Sequence, residues 1–382
     1  MTVLLLLAGG GFGACSGALT GRVPSPTSAG RTVYSGASAD PPGRCGTTLQ
    51  EPDRMITEKP AAVAAPAARA AGAPADPATL VCLFEGRYVP LAEANVSIMT
   101  HAFMYGTAVF EGIRAYWNQD QGQLYALRVR EHIERIRNSC KIMLMDDVPS
   151  VDQLTAEVVE VLRRNAFRED AYIRPSFYKS TQAIGVKLHG LEHRYYILAI
   201  PFGDYVDTNV GVKVGTVSWR RTSDPAIPSR AKIVGSYVNP AFSKSEAMLN
   251  GFDEALVLSD DGHVSEGSAE NIFVIRDGVL VTPPVSDDIL EGITRAGIME
   301  ICADLGLPVL ERSIDRSEVY IADEAFFCGT GAQISPIIEV DHRKVGSGAV
   351  GPITARVKDR YFEIVRGNVP AYGHWVTPIY PR

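Results

Sequence analysis

The 382-residue chain is 46% apolar and 21% charged, a balance that fits a globular protein with one large core or two modest ones. Its formal net charge of −7 argues against nucleic acid as the main partner, because phosphate backbones need a basic face. No apolar run reaches the roughly 18 residues that span a bilayer, and six scattered cysteines without a CxxC pair read as reduced thiols.

Residues 1–80 are rich in Ala, Gly, Pro, Ser and Thr, and the run AAVAAPAARAAGAPADPA at 61–78 is low-complexity sequence. Such a composition cannot bury enough apolar surface to offset the entropy of ordering, so a disordered extension is expected over 1–80. The opening MTVLLLLAGGGFGAC has no Lys or Arg before its short apolar run and so lacks the charged region of a secretory signal. A cytoplasmic protein is expected. Arg22 and Arg31, with no acid before Asp40, leave an N-terminal targeting segment as the alternative.

The pattern becomes regular at Val81. VCLFEGRYVPL reads as two short strands around a Glu85-Gly86 turn. THAFMYGTAVFEGIRAY reads as a helix running into a strand at 113–116. In REHIERIRNSCKIM, Ile133, Ile136, Cys140 and Met143 recur at spacings of three and four, which predicts one apolar helical face. VDQLTAEVVEVLRRN is a second amphipathic helix, and AYIRPSFY and RYYILAIPF are strands. The mixture predicts a small α+β domain over 81–201. FGDYVDTN then opens a polar interdomain connection, 202–210. A larger domain, 211–382, follows: the strand VGVKVGTVSW, the helix NPAFSKSEAMLNG, and the strands EALVLS, NIFVIR and VLVTPP. Next come the helix TRAGIMEICADLG, the turn-bearing run EAFFCGTGAQISPIIEV and a last helix, PITARVKDRYFEIVRG.

Four stretches carry candidate chemistry. Lys232 in AKIVGSYVN sits among small and apolar residues, five before Tyr237. It reads either as a packed stem with a solvated head, or as an amine of lowered pKa that attacks carbonyls. A lysine that binds pyridoxal phosphate needs a carboxylate for the pyridine nitrogen, a donor for the ring oxygen and a phosphate cup. HVSEGSAENIFVI offers Glu266 or, from the same segment, Glu270. In LEGITRAGIMEI a helix is expected to open at Gly292-Ile293-Thr294 with Thr294 as its cap. Such a start favours a phosphate, although ordinary capped helices look the same. Arg135 could supply the counter-charge or simply be solvated. FFCGTGAQISPI places a turn that either aims N–H groups at a carboxylate or is a plain β-turn. There is no GxxxxGK[ST], no HExxH and no histidine cluster, so neither a nucleotide loop nor a metal site is expected.

In this order, THAFMYGTAVFEGIRAY, REHIERI, AYIRP, AKIVGSYVN, EALVLSDDGHVSEGSAENIFVI, LEGITR and CGTGAQISPI resemble the branched-chain amino acid aminotransferases. These are fold-type IV (D-amino acid aminotransferase-like) class IV aminotransferases that use pyridoxal 5′-phosphate. The resemblance runs from about Val81 to the C-terminus and implies a two-domain α+β fold. It implies Lys232 as the catalytic, cofactor-linked lysine, Glu266 rather than Glu270 on the pyridine nitrogen, and Tyr237 on the ring oxygen. Arg135, Ile293, Thr294 and Thr330 match the phosphate cup. Tyr172 and the N–H groups of Thr330 and Gly331 match the α-carboxylate site. Arg174 and Arg114 fall near the substrate, with Arg174 as the holder of a glutamate side chain. Phe110, Tyr105 and Val186 match an apolar pocket wall, the last two supplied by the partner subunit of a homodimer or larger oligomer. Phe202 and Gly331 stand where tryptophan and alanine are common, which bears on pocket width.

The implied reaction is ping-pong transamination between leucine, isoleucine or valine and 2-oxoglutarate. A D-amino acid aminotransferase or an aminodeoxychorismate lyase of the same fold is the alternative, and FEGIR, Arg174 and GTGAQISPI favour the branched-chain enzyme. A non-catalytic binding protein is a further alternative, against which Lys232, Glu266 and Tyr237 speak.

Overall fold

A computed structural model describes residues 76–203 and 210–381. Most of the expected N-terminal extension and the middle of the 202–210 connection therefore lie outside the described residues. Pro77–Thr79 forms a 3-10 turn, and Leu80 is already buried.

Glu85 and Gly86 hold φ angles of 49° and 80°, the left-handed geometry of a two-residue hairpin turn. Strands β1 (Val81–Phe84) and β2 (Arg87–Pro90) pair antiparallel around them, as the sequence predicts. The helix expected in THAFMYGTAVFEGIRAY is only one turn, α1 (His101–Tyr105). Gly106 ends it in a left-handed conformation. The chain resumes as β3 (Ala108–Phe110), a strand that the sequence reading lacks, and β4 (Ile113–Asn118). After β5 (Gln123–Leu127) come the two amphipathic helices, α2 (Val129–Ile142) and α3 (Val151–Asn165), and then β6 (Ala171–Lys179) and β7 (His193–Pro201). Ser150 caps α3 by accepting from Gln153 N, which satisfies one orphan donor. Ile133 and Ile136 of α2 join Leu154 and Val158 of α3 in one core with Ile113, Ile173 and Ile197 of the sheet.

The second half holds β8 (Val212–Arg220), α4 (Val238–Leu249), β9 (Glu254–Leu258), β10 (Val264–Glu266), β11 (Asn271–Arg276) and β12 (Val279–Thr282). It continues with α5 (Ile293–Asp304), β13 (Val309–Glu311), α6 (Arg316–Tyr320), β14 (Glu324–Gly329), β15 (Gln333–Val340) and β16 (Arg343–Lys344). It closes with α7 (Pro352–Val365) and β17 (Val376–Pro378). Among the described residues there are two sheets. One runs β17-β5-β4-β6-β7-β1-β2, with β3 on β6. The other runs β10-β9-β8-β15-β14-β11-β12-β13, with β16 on β15. The α+β class holds. A further core joins Tyr116 and Tyr125 of the first sheet to Phe273 and Phe326 of the second and to Ile298 and Val357 on α5 and α7. The two sheets thus share buried apolar surface, the main favourable term in holding them together.

Among the described residues no helix is long and apolar enough to cross a membrane. Among those residues, too, no cluster of three His, Cys, Asp or Glu could hold a metal ion.

Candidate active site

The segment carrying Lys232 is stitched to the first sheet. Ile233 forms an isolated antiparallel bridge with Val109. Phe110 N donates to Lys232 O at 3.1 Å, and Gly235 N to Gly106 O at 3.0 Å. Lys232 N donates to Ser139 Oγ on α2 at 3.2 Å. Ala231 and Ile233 are buried on either side, which accounts for the apolar company of this lysine. The 3-10 turn Val234–Tyr237 folds the tyrosine back, so that Lys232 Nζ donates to Tyr237 Oη at 2.6 Å. The ring of Phe110 lies 5.1 Å from Nζ.

Lys232 and Tyr237 line a cavity of about 610 Å³ together with Glu266, Arg135, Ile293, Thr294, Thr330, Gly331, Tyr172, Arg174, Phe110 and Phe202. Twelve of the fifteen residues singled out in the sequence thus meet in one place. Glu266, on β10, is buried. Its carboxylate pairs with Arg221 Nε at 3.0 Å and accepts from Asn271 Nδ2 at 3.1 Å and Leu290 N at 3.2 Å. Burial pushes its pKa up, against the pull of Arg221, the Leu290 N–H and Lys232. Glu270 also lines the cavity, but it accepts from Ala269 N and is pushed up by burial and by the neighbouring Glu254. Of the two, Glu266 is the one paired with an arginine.

Arg135, on α2, donates through Nε and Nη2 to the two carboxylate oxygens of Glu111 at 2.6 and 2.8 Å, and through Nη1 to Glu291 O at 2.7 Å. His132 Nδ1 meets the same carboxylate at 2.7 Å. Burial alone would raise the Glu111 carboxyl, but Arg135 and His132 override it and hold the group well below the usual carboxylate range. Close by, α5 begins. Its N-cap is Gly292 and no side chain caps it, so the expected capping role of Thr294 is not what the structure shows. Thr294 is the second helical residue, and the uncapped start turns its orphan N–H groups and positive dipole end to the cavity.

On the opposite wall, Gly112 leaves room for Tyr172: a Cβ there would lie 2.5 Å from Tyr172 Oη. Arg174 Nη2 donates to that hydroxyl at 2.9 Å. Its guanidinium lies 4.6 Å over the Phe110 ring, and its Nε is buried with no acceptor from the described chain. Tyr172 and Phe202 pack at 5.4 Å.

Three expected residues stand elsewhere. Arg114 is buried behind the cavity and does not line it. It donates to the carbonyls of Gly331 (3.2 Å), Phe202 (3.1 Å) and Gly203 (2.6 Å), tying the 329–332 turn to the start of the connection. Alternation along β4 sets Arg114 on the face opposite Ile113 and Ala115, and the packing of the second sheet brings the Gly331 turn to that face. Tyr105 and Val186 are also outside the cavity of a single chain. Gly185 N donates to Tyr105 Oη at 3.2 Å, and Val186 is 80% exposed. The sequence reading missed Glu111, His132, Arg221 and Asn271. Glu111 had a visible signal, the lone acid of THAFMYGTAVFEGIRAY, just ahead of the strand read at 113–116.

The family model for amino-transferase class IV matches residues 108–340, and the chain belongs to that family. Among known proteins it is similar to the probable branched-chain-amino-acid aminotransferase of Aquifex aeolicus, at 45% identity over 78% of this chain and 96% of the relative. A similar solved structure is the branched-chain aminotransferase of Thermoproteus uzoniensis with norvaline: 46% identity, TM-score 0.76, covering 79% of this chain and 99% of the other. Another is the branched-chain amino acid aminotransferase of Thermobaculum terrenum in its PLP form: 35% identity, TM-score 0.75, covering 79% of this chain and 98% of the other.

Proposed function

We propose that the chain is a branched-chain-amino-acid transaminase, passing an amino group between leucine, isoleucine or valine and 2-oxoglutarate with pyridoxal 5′-phosphate. The observation that carries this reading is one cavity gathering Lys232, Glu266, Arg135 and Arg174. Its donor set suits the cofactor: an amine paired with a phenol, a buried carboxylate paired with an arginine, and a guanidinium beside an uncapped helix start. When bound, the cofactor supplies an electron sink and carries the amino group between half-reactions.

The chain's own residues then have distinct tasks. Lys232 Nζ would hold the cofactor covalently and would take and return the proton at the substrate Cα. Tyr237 Oη steadies Nζ and would meet the ring oxygen. Glu266 would hold the proton of the pyridine nitrogen. Arg135, Ile293, Thr294 and Thr330 would hold the phosphate. Tyr172 and the N–H groups of Thr330 and Gly331 would bind the α-carboxylate, with Arg114 fixing that turn from behind. Phe110 and Phe202 form the apolar wall, and Arg174 at its edge would pair with the glutamate side chain.

A second copy of the chain completes the site. Phe103, on the helix of Tyr105, and Ile184 and Val186, flanking the Gly185 that bonds Tyr105 Oη, expose apolar side chains, a grouping that fits burial against a partner. Pairing there would bring Tyr105 and Val186 to the neighbouring cavity. We assign 81–201 and 211–382 as small and large domains joined by 202–210, in a cytoplasmic protein.

The test is a visible spectrum followed by L-leucine, with D-alanine as the contrast. Near-visible absorbance that L-leucine bleaches and 2-oxoglutarate restores is expected. Borohydride should fix the cofactor to Lys232, and Lys232→Ala should lose transamination by several orders of magnitude. Near-normal turnover in that variant, or a response to D-alanine alone, would overturn the reading.

A further inference from the structure

We propose that Glu111, with His132 beside it, is the positioning residue that fixes the guanidinium of Arg135 toward the cofactor phosphate. This rests on the reading that Arg135 faces that phosphate.

The placement begins with the period of an extended chain. Consecutive residues point to opposite faces: Phe110 lines the cavity, and Glu111 turns away from it to α2. On α2, His132 and Arg135 are three residues apart and so share a face. Glu111 N donates to Pro175 O at 2.9 Å, which pins the backbone to β6. The Glu111 side chain is fully buried, and both its oxygens are engaged by Arg135, at 2.6 and 2.8 Å.

A carboxylate only accepts hydrogen bonds, so the proton on the facing nitrogen of His132 must sit on Nδ1. The contact at 2.7 Å sets one orientation for that ring. Together with the bond to Glu291 O, three of the five guanidinium N–H groups are taken by Glu111 and Glu291, neither of which lines the cavity. A planar, forked guanidinium held at these points has its plane fixed, and it lies against the cavity that Arg135 lines beside the start of α5.

The proposal separates Glu111 from a general stabiliser of the fold. In Glu111→Gln the amide presents an NH₂ to donors on Arg135 and His132, and the fork loses one of its two edges. In Glu111→Asp the charge stays, but the side chain is one methylene too short for both edges. Either change should loosen the phosphate site and leave the rest of the cavity intact.

The experiment uses the full-length holoenzyme, dialysed against graded pyridoxal 5′-phosphate and, in parallel, graded pyridoxal, which lacks the phosphate. Occupancy is read from near-visible absorbance, and folding from circular dichroism. For Glu111→Gln and Glu111→Asp, the dissociation constant of the phosphorylated form should rise about tenfold or more. That of pyridoxal should change less than about twofold. Equal weakening of both ligands, no weakening of either, or failure of both variants to fold would overturn the proposal. The last result would make Glu111 a requirement of the fold instead. Arg135→Gln is measured alongside. If it leaves the preference for the phosphorylated form intact, the reading of Arg135 itself fails. If it abolishes that preference while both Glu111 variants keep it, only the role of Glu111 fails.

Discussion

The backbones of Gly106 and Gly235 touch. A Cβ built on Gly106 would fall 2.6 Å from the Cα of Gly235, and one on Gly235 would fall 3.2 Å from the Gly106 carbonyl oxygen. Gly106 also needs its φ of 67° to stop α1, a conformation that side chains with a Cβ resist. The lysine three residues before Gly235 owes its position to this contact.

Gly235→Ala should therefore push the Lys232 segment away from β3, because its neighbour is backbone and cannot rotate aside. Overpacking of this kind costs about 1–3 kcal/mol, and Gly106→Ala should cost more, since steric overlap adds to a strained φ. Urea denaturation of both variants gives the order. A Gly106→Ala protein as stable as wild type would mean that the two segments separate freely.

Arg174→Met tests how one pocket takes two unlike substrates. An unpaired carboxylate is costly in an apolar site, and Arg174, whose guanidinium lies over Phe110, has a buried Nε with no acceptor among the described residues. Met keeps the length and the contact with the ring but not the charge. Single-turnover kinetics should show the 2-oxoglutarate half-reaction losing on the order of ten- to a hundredfold, from about 1.5–3 kcal/mol of charge-assisted hydrogen bonding. The leucine half-reaction should be nearly unchanged. Equal losses in both would place Arg174 at the shared α-carboxylate.

Glu270 gives the fold a pH dependence. Burial and the Glu254 carboxylate raise its pKa, so the folded chain keeps a proton that the unfolded chain releases in the ordinary carboxylate range. Its contribution is complete below that range and is lost as pH rises toward the raised value. Glu270→Gln removes the ionisation. Thermal melts from pH 5 to pH 8 should show the variant losing less stability over this interval than wild type. Parallel curves would show that Glu270 does not titrate there.

The parts of the molecule legible in the sequence are those with a local cause. The Ile133-Ile136-Cys140 spacing buries one face of α2, and Glu85-Gly86 turns β1 into β2, because periodicity and turn geometry act within a few residues. β3 and β17 have three residues each, and each pairs with a strand far off in the chain, β6 and β5. The candidate site residues were recoverable as ordered motifs. The orientation of Arg114 was not, since which face of β4 meets the Gly331 turn is decided by the packing of two sheets. The Glu111–Arg135 pair likewise needs α2 folded against β3.

β17 has a consequence for how the protein is made. Val376 pairs with Leu127 on β5, and Ile379 N reaches Gln123, 256 residues earlier in the chain. The outer edge of the first sheet therefore stays open, and β5 presents unpaired backbone groups there, until residues 376–379 have left the ribosome. Closure of so long a loop is slow relative to local helix formation. Nascent chains stalled before residue 376 should remain protease-sensitive at β5, and final protection of the first half should follow release of the second.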